Sequence, residues 1–344
     1  MHKALFIMIS MAISSADALA APIGDQGDEP ESSRARVPLL SNEEAWKRLP
    51  EVKSGGGQPL PSWARALARS LPRTTAAMLD LDRVQRTSSP LGPLLRGKMR
   101  WVAARANRCE YSMAYAEADL KRAGLDDAGL RSLEGDHKEL PDPERAALEF
   151  AHRMTVDAAE VTDAEVAGLI ARYGEAKVVA MVLLLAYANF QDRLLLALDV
   201  PIEAGGPLPP LEVRFDPKAE PPAVPTRQVP QGRPAPAEPE RIDDPFWLSM
   251  EPGDLQGRLT EQRSRPGRIR VPSWEEVLRV LPPGIPKPEK PVRIRWSLVT
   301  MGYQPELAAA WSACTRAFGQ EAKQDRVFEE SLFWIVTRTI HCFY

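Results

Sequence analysis

The most apolar stretch of the chain, Val178 to Ala188, lies inside a helical pattern from Glu175 to Leu198 and is soon followed by Gln191-Asp192-Arg193. It is far shorter than the roughly 20 apolar residues that a bilayer-spanning helix needs. Cut off by charge in this way, it predicts a helix buried in a protein core. The flanking sequence supplies helices to bury it. Thr162-Asp163-Ala164-Glu165 has the form of a capping box, opening a helix that ends near Gly174. Asp142 followed by Pro143 opens another through Met154, carrying Ala147, Leu148, Phe150 and Ala151. One long helix is expected over Leu94 to Ala123, with Gly124 at its C-cap. Upstream, Ser41-Asn42-Glu43-Glu44 starts a helix bearing Trp46 and Leu49 and closed by Pro50. After the Gly55-Gly56-Gly57 loop, Pro61 to Leu71 and Thr74 to Leu81 read as short helices. No alternating strand pattern occurs between Val37 and Val200, so residues 37–200 are expected to form an all-α domain.

A length of 344 residues leaves room for a second unit. Residues 201–245 hold about a dozen of the 33 prolines and little periodic apolar pattern, which predicts an extended, semi-rigid linker. A second structured region is expected over 246–344. At the other end, His2 and Lys3, the apolar Ala4 to Ser14 and the small residues Ala18-Leu19-Ala20 read as a signal peptide over residues 1–20. A flexible polar segment, 21–36, follows. The expected location is therefore exported, periplasmic or extracellular, with no membrane span once the signal is removed. A net charge of −3 gives no reason to expect a nucleic-acid partner, and the 3 cysteines make no disulfide framework. No residue grouping calls for a cofactor or a metal.

The second region echoes the first. Trp101, Arg105, Cys109 and Tyr111 recur as Trp334, Arg338, Cys342 and Tyr344, all at an offset of 233. With only 8 Trp and 3 Cys in the chain, a match of both at one offset argues for an internal repeat. Glu43-Glu44 before Leu49-Pro50 likewise recurs as Glu275-Glu276 before Leu281-Pro282, at 232. The second copy is expected to stop inside the counterpart of the long helix, without counterparts to residues 112–200, as in a fragment.

Met99, Val102, Ala103, Ala106, Cys109, Met113 and Ala116 fall at helical spacing, with Ser112 one turn beyond Cys109. A second cysteine one turn along would make a C-x-x-C redox pair, and a His a turn further would face it and relay protons. A lone Cys on such a stripe is more often a small buried residue. The stretches RWVAARANRCEYSMAYAEADLKRAGL, PDPERAALEFAHRMT and VVAMVLLLAYANFQDRLLLALDVP together resemble the carboxymuconolactone decarboxylase / alkylhydroperoxidase D (AhpD-like) family through most of residues 91–201. The resemblance implies an all-helical fold, assembly into homo-oligomers, and, in members with peroxiredoxin-type peroxidase activity, a C-x-x-C-x-x-x-H motif with a Glu twelve residues before its first Cys.

Against that pattern the first copy keeps Cys109 but has Ser112 for the second Cys, Ala116 for the His and Gly97 for the Glu. Glu110 and Glu117 lie off the Cys109 face. In the second copy Glu330 stands twelve before Cys342, and the position of its partner cysteine falls one residue past Tyr344. His341 reads as a frayed terminal residue, and Cys314 as core on a helix from Pro305 to Phe318. Cys109, Ser112, Glu330 and Cys342 are thus the candidate catalytic residues. The resemblance implies a thiol peroxidase relative with a degenerate first site and an incomplete second, served by a thiol reductant. The alternative is a non-catalytic scaffold for oligomerisation or binding. A lactone-acid decarboxylase or hydrolase ranks last, because the sequence displays no His or Arg cluster for an anionic substrate.

Overall fold

The computed structural model describes residues 35–50, 57–135, 137–216, 219–220, 251–283, 290–322, 325–340 and 342. The expected signal peptide, nearly all of the flexible segment, most of the linker, His341 and Tyr344 lie outside them. The described residues are helical: α1 Asn42–Arg48, α2 Ser62–Leu67, α3 Pro72–Thr87, α4 Gly92–Ala106, α5 Glu110–Arg122, α6 Asp127–Arg131, α7 Asp142–Val156, α8 Asp163–Tyr173 and α9 Glu175–Leu198, then α10 Pro252–Ser264, α11 Trp274–Val280, α12 Arg295–Tyr303, α13 Pro305–Glu321 and α14 Arg326–Thr339. Among them no strand is formed.

Local chemistry sets the boundaries. Thr162 makes the expected reciprocal capping box with Glu165, Ser41 makes another with Glu44 at the expected helix start, and Ser273 makes a third with Glu276. Gly174 joins α8 to α9 at φ 76°, a backbone angle that a residue with a Cβ rarely adopts.

α9 is the hub. Val179, Leu183, Tyr187, Phe190 and Leu195 enter one core with α1, α2, α3 and α13. Val178, Met181, Leu184, Leu185 and Ala188, on its other sides, enter a second core with α4, α5, α7 and α8. Apolar residues on most sides of this helix are thereby accounted for, with Val182 and Leu196 left exposed. It is long and apolar enough to cross a membrane, yet 78% of that window is buried inside the fold.

Two features differ from the sequence reading. The stretch after Pro201 is extended, but its first part is no free spacer: Leu211, Val213 and Phe215 alternate into the first core, and Phe215 stacks on Trp46 at 5.9 Å. The period of two is hidden among prolines. The second region also adds to the first core rather than lying apart from it. Leu307, Ala310, Trp311, Cys314 and Ala317 of α13 pack on α3, and Glu321 accepts hydrogen bonds from the Arg73 and Thr74 amides at 2.7 Å each, capping α3 from outside. Tyr303 and Gln304 bond Glu175 and the Ala176 carbonyl at the start of α9.

The helix bounds of the two regions run in step. α12 and α13 start 233 residues after α2 and α3, α14 ends 233 after α4, and α11 starts 232 after α1. Buried positions agree too: Leu307, Ala308, Ala310, Trp311, Cys314 and Ala317 stand 233 after Thr74, Thr75, Ala77, Met78, Leu81 and Val84, all buried.

Candidate functional site

The expected long helix is two. It breaks at Asn107-Arg108-Cys109, where Arg108 takes φ 56° and Cys109 becomes the N-cap of α5. The Cys109 amide reaches back five residues to the Ala104 carbonyl at 2.9 Å, a Schellman-type ending. The break is stabilised from outside. Asn107, at the end of α4, donates its side-chain amide to Asn189 at 3.0 Å and to Asp192 at 2.9 Å, both on α9. Cys109 therefore does not continue a helical stripe; it sits at the head of α5, with Ser112 folded toward it.

The Cys109 thiol donates to the Ser112 oxygen at 3.4 Å, and the residue is only 1% exposed. Burial pushes the thiol above its ordinary value, and the nearby Asp192 carboxylate pushes it the same way. The hydrogen bonds of Ser112 and the charge of Arg100 pull down, but do not win. Cys109 is held as a neutral thiol at neutral pH, which is the wrong state for a nucleophile. At the position expected for the acid, a Cβ on Gly97 would meet the Leu120 side chain at 2.7 Å, so the fold has closed over it. Ala116, in the His position, is buried.

Arginines gather close by. Arg100 donates to both oxygens of Asp192, which is fully buried, and at 2.7 Å to the Ser112 oxygen. Burial works against the Arg100 charge, but Asp192 outweighs it and holds the guanidinium above its usual value. Arg86 grips Asp119 with two bonds, 2.9 and 2.7 Å, and Arg96 adds a third at 3.0 Å. Burial tends to raise the Asp119 carboxyl, yet the bonds and charges of Arg86 and Arg96 keep it below its usual value. Asp82 completes the set, at 3.4 Å from Arg86.

The three arginines, Asp82 and Asp119 line one cavity with about 470 Å³ of empty space, its mouth included, together with Trp63, Tyr111, Tyr187, Leu184, Ser112 and Ala116; Asp192 lies behind Arg100, outside the lining. An Arg cluster that the sequence did not display is thus present, but each arginine is paired with a carboxylate rather than free for an anionic substrate. Arg86, Arg96 and Arg100 are scattered along α3 and α4, and only the packing of α3, α4 and α5 gathers them. A signal was present in the sequence: Arg96 and Arg100 are one turn apart on one helix, and Asp192 interrupts the most apolar helix.

The candidate residues of the second region are not brought to this cavity. Glu330 is on α14 beside Arg326, at 4.0 Å and partly exposed. Cys342 follows α14, its amide bonded to the Thr337 carbonyl five residues back at 2.8 Å, as Cys109 is to Ala104. Cys314 is buried in the first core, as expected, and burial pushes its thiol up. Among the described residues no three His, Cys, Asp or Glu side chains group to hold a metal ion. Known proteins add nothing to this geometry: no family model matches the chain, and no curated protein matches it.

Proposed function

We propose that this chain is an AhpD-like helical binding protein in which the site of thiol chemistry has become a polar ligand cavity. The observation that carries the reading is the pairing of Cys109 with Ser112 next to Arg100, in a neutral, sealed environment. A C-x-x-C peroxidase cycles because an attacked thiolate becomes a sulfenic acid that its neighbour condenses with. Ser112 cannot form that disulfide, the closed position at Gly97 and buried Ala116 supply no Glu or His for the relay, and the nearby Asp192 carboxylate is paired with Arg100. The equal spacing of three helix bounds, with a fourth one residue short, and of the amide bonds of Cys109 and Cys342, supports an internal duplication whose second copy comprises α11 to α14. Export and self-association belong to the same proposal, resting on residues 1–20 and on the resemblance.

Peroxide consumption with a dithiol reductant tests the reading. The chain and its Cys109→Ser and Cys342→Ser variants should all run at the uncatalysed rate. Turnover well above it that disappears in either variant overturns the proposal.

A further inference from the structure

We infer that the cavity above Ser112 takes a small neutral molecule with a carbonyl next to an N–H, such as a lactam or cyclic amide. The inference rests on reading the cavity as a binding site, and adds the class of ligand.

The charges come first. Arg86, Arg96 and Arg100 meet three carboxylates, Asp82, Asp119 and Asp192, each in a direct ion pair. Within the buried set, positive and negative charge balance, so a further buried charge on the ligand would find no excess to pair with. Arg122 also reaches Asp119, but it is well exposed and solvated. A neutral ligand fits this field.

What remains unpaired defines the polarity. Three buried atoms of lining residues make no hydrogen bond: Nε of Arg96, a donor, Oε1 of Gln85, an acceptor, and Oη of Tyr115, which can do either. Gln85 is 2% exposed and Arg96 5%. Gln85 spends its amide N–H on the Leu183 carbonyl at 3.4 Å, which fixes the oxygen as the free end. Ser112 adds a second donor. Its oxygen already accepts from Arg100 and from the Cys109 thiol, so its own proton is left to give. Buried polar groups of this kind are costly unless a partner satisfies them. Two donors, one acceptor and the Tyr115 hydroxyl, which can act either way, are met together by a carbonyl that accepts and an adjacent N–H that gives. The walls, Trp63, Tyr111 and Tyr187, suit a flat ring.

Three probes of similar size separate the chemistries: 2-pyridone, a neutral lactam; benzoate, a monoanion; and toluene, which is apolar. Binding is followed by tryptophan fluorescence and calorimetry on the full chain. 2-Pyridone should bind, with benzoate and toluene at least tenfold weaker. Gln85→Met, which keeps the volume and removes the acceptor, should weaken 2-pyridone at least tenfold and leave toluene unchanged or tighter. Should that variant not fold, Ser112→Ala serves instead, with a smaller loss of 2-pyridone binding. Benzoate or toluene binding as tightly as 2-pyridone overturns the ligand class while leaving a binding cavity. Equal affinity of Gln85→Met for 2-pyridone also overturns the class. If none of the three binds, or a crystal grown in saturating 2-pyridone shows water alone in the cavity, the binding reading falls with it.

Discussion

Asp192 does more than any other single residue to organise the site. It accepts two bonds from Arg100 and one from Asn107, and so ties α9 to α4 at the point where α4 ends. A buried ion pair adds little net stability over well-packed apolar residues, but removing one partner leaves the other charged and alone. Asp192→Ala should therefore lower stability by about 3–5 kcal/mol. The double change Arg100→Met with Asp192→Leu should recover most of that loss. Denaturant titration of the unsubstituted protein, Asp192→Ala, Arg100→Met, Asp192→Leu and the double variant checks this, and a loss in the double variant equal to the sum of its two single changes would show that the pair is not coupled. Some of this was legible beforehand and some was not. Asp192 stands out in the sequence as charge interrupting an apolar helix. Its partner does not, because Arg100 is 92 residues away and only packing of α4 on α9 joins them. The candidate cysteine was legible as buried, yet its neighbours Arg100 and Asp192 were not, since no local pattern predicts which charges share a desolvated space.

Among the elements, the break between α4 and α5 decides where Cys109 points. Helical periodicity carries through residues 99–116 without a glycine or proline, so nothing local announces an interruption. Tertiary bonds to Asn107 make it, and Arg108 accepts a left-handed conformation at φ 56° as a consequence. Such a conformation costs a residue with a Cβ about 1–2 kcal/mol, and glycine avoids the clash at some expense in chain entropy. Arg108 is exposed and its backbone amide bonds Arg105 whatever the side chain. Arg108→Gly should stabilise the protein by about 0.5–1 kcal/mol, while Arg108→Ala should be close to neutral. A melting series settles it: destabilisation by Arg108→Gly equal to that of a glycine placed inside a helix would mean that α4 runs on through Cys109 after all. Among the helices that the sequence did foretell, α1, α8 and α9 carry their own end signals in capping boxes and a glycine junction, and α7 and α13 open on a proline in the first turn.

At the scale of the whole molecule the question is whether α11 to α14 form a unit or a part of one. α13 contributes Trp311, Cys314 and Ala317 to the core that α1, α2 and α3 share, and Glu321 caps α3. Trp311 packs edge-on against Tyr187 and Phe190 of the hub helix, at 6.4 Å from each. Its indole Nε1 is buried without a hydrogen-bond partner. α14 differs: Val327, Phe328, Leu332 and Ile335 are exposed, whereas Leu95, Met99 and Val102, 233 residues before the last three, are packed under α5, α7 and α9. One core through both regions predicts one cooperative unfolding transition covering α1 to α9 and α11 to α13. Trp311→Ala should shift that whole transition by about 3–5 kcal/mol, as large aromatic deletions in a core do. Trp311→Phe should cost far less, because it removes an unsatisfied donor together with the lost ring. Urea unfolding followed by circular dichroism and by hydrogen exchange at α3 and α9 reads both. If Trp311→Ala leaves protection at α3 and α9 unchanged while a separate, early transition appears, the second region is an independent unit and the shared core does not govern stability.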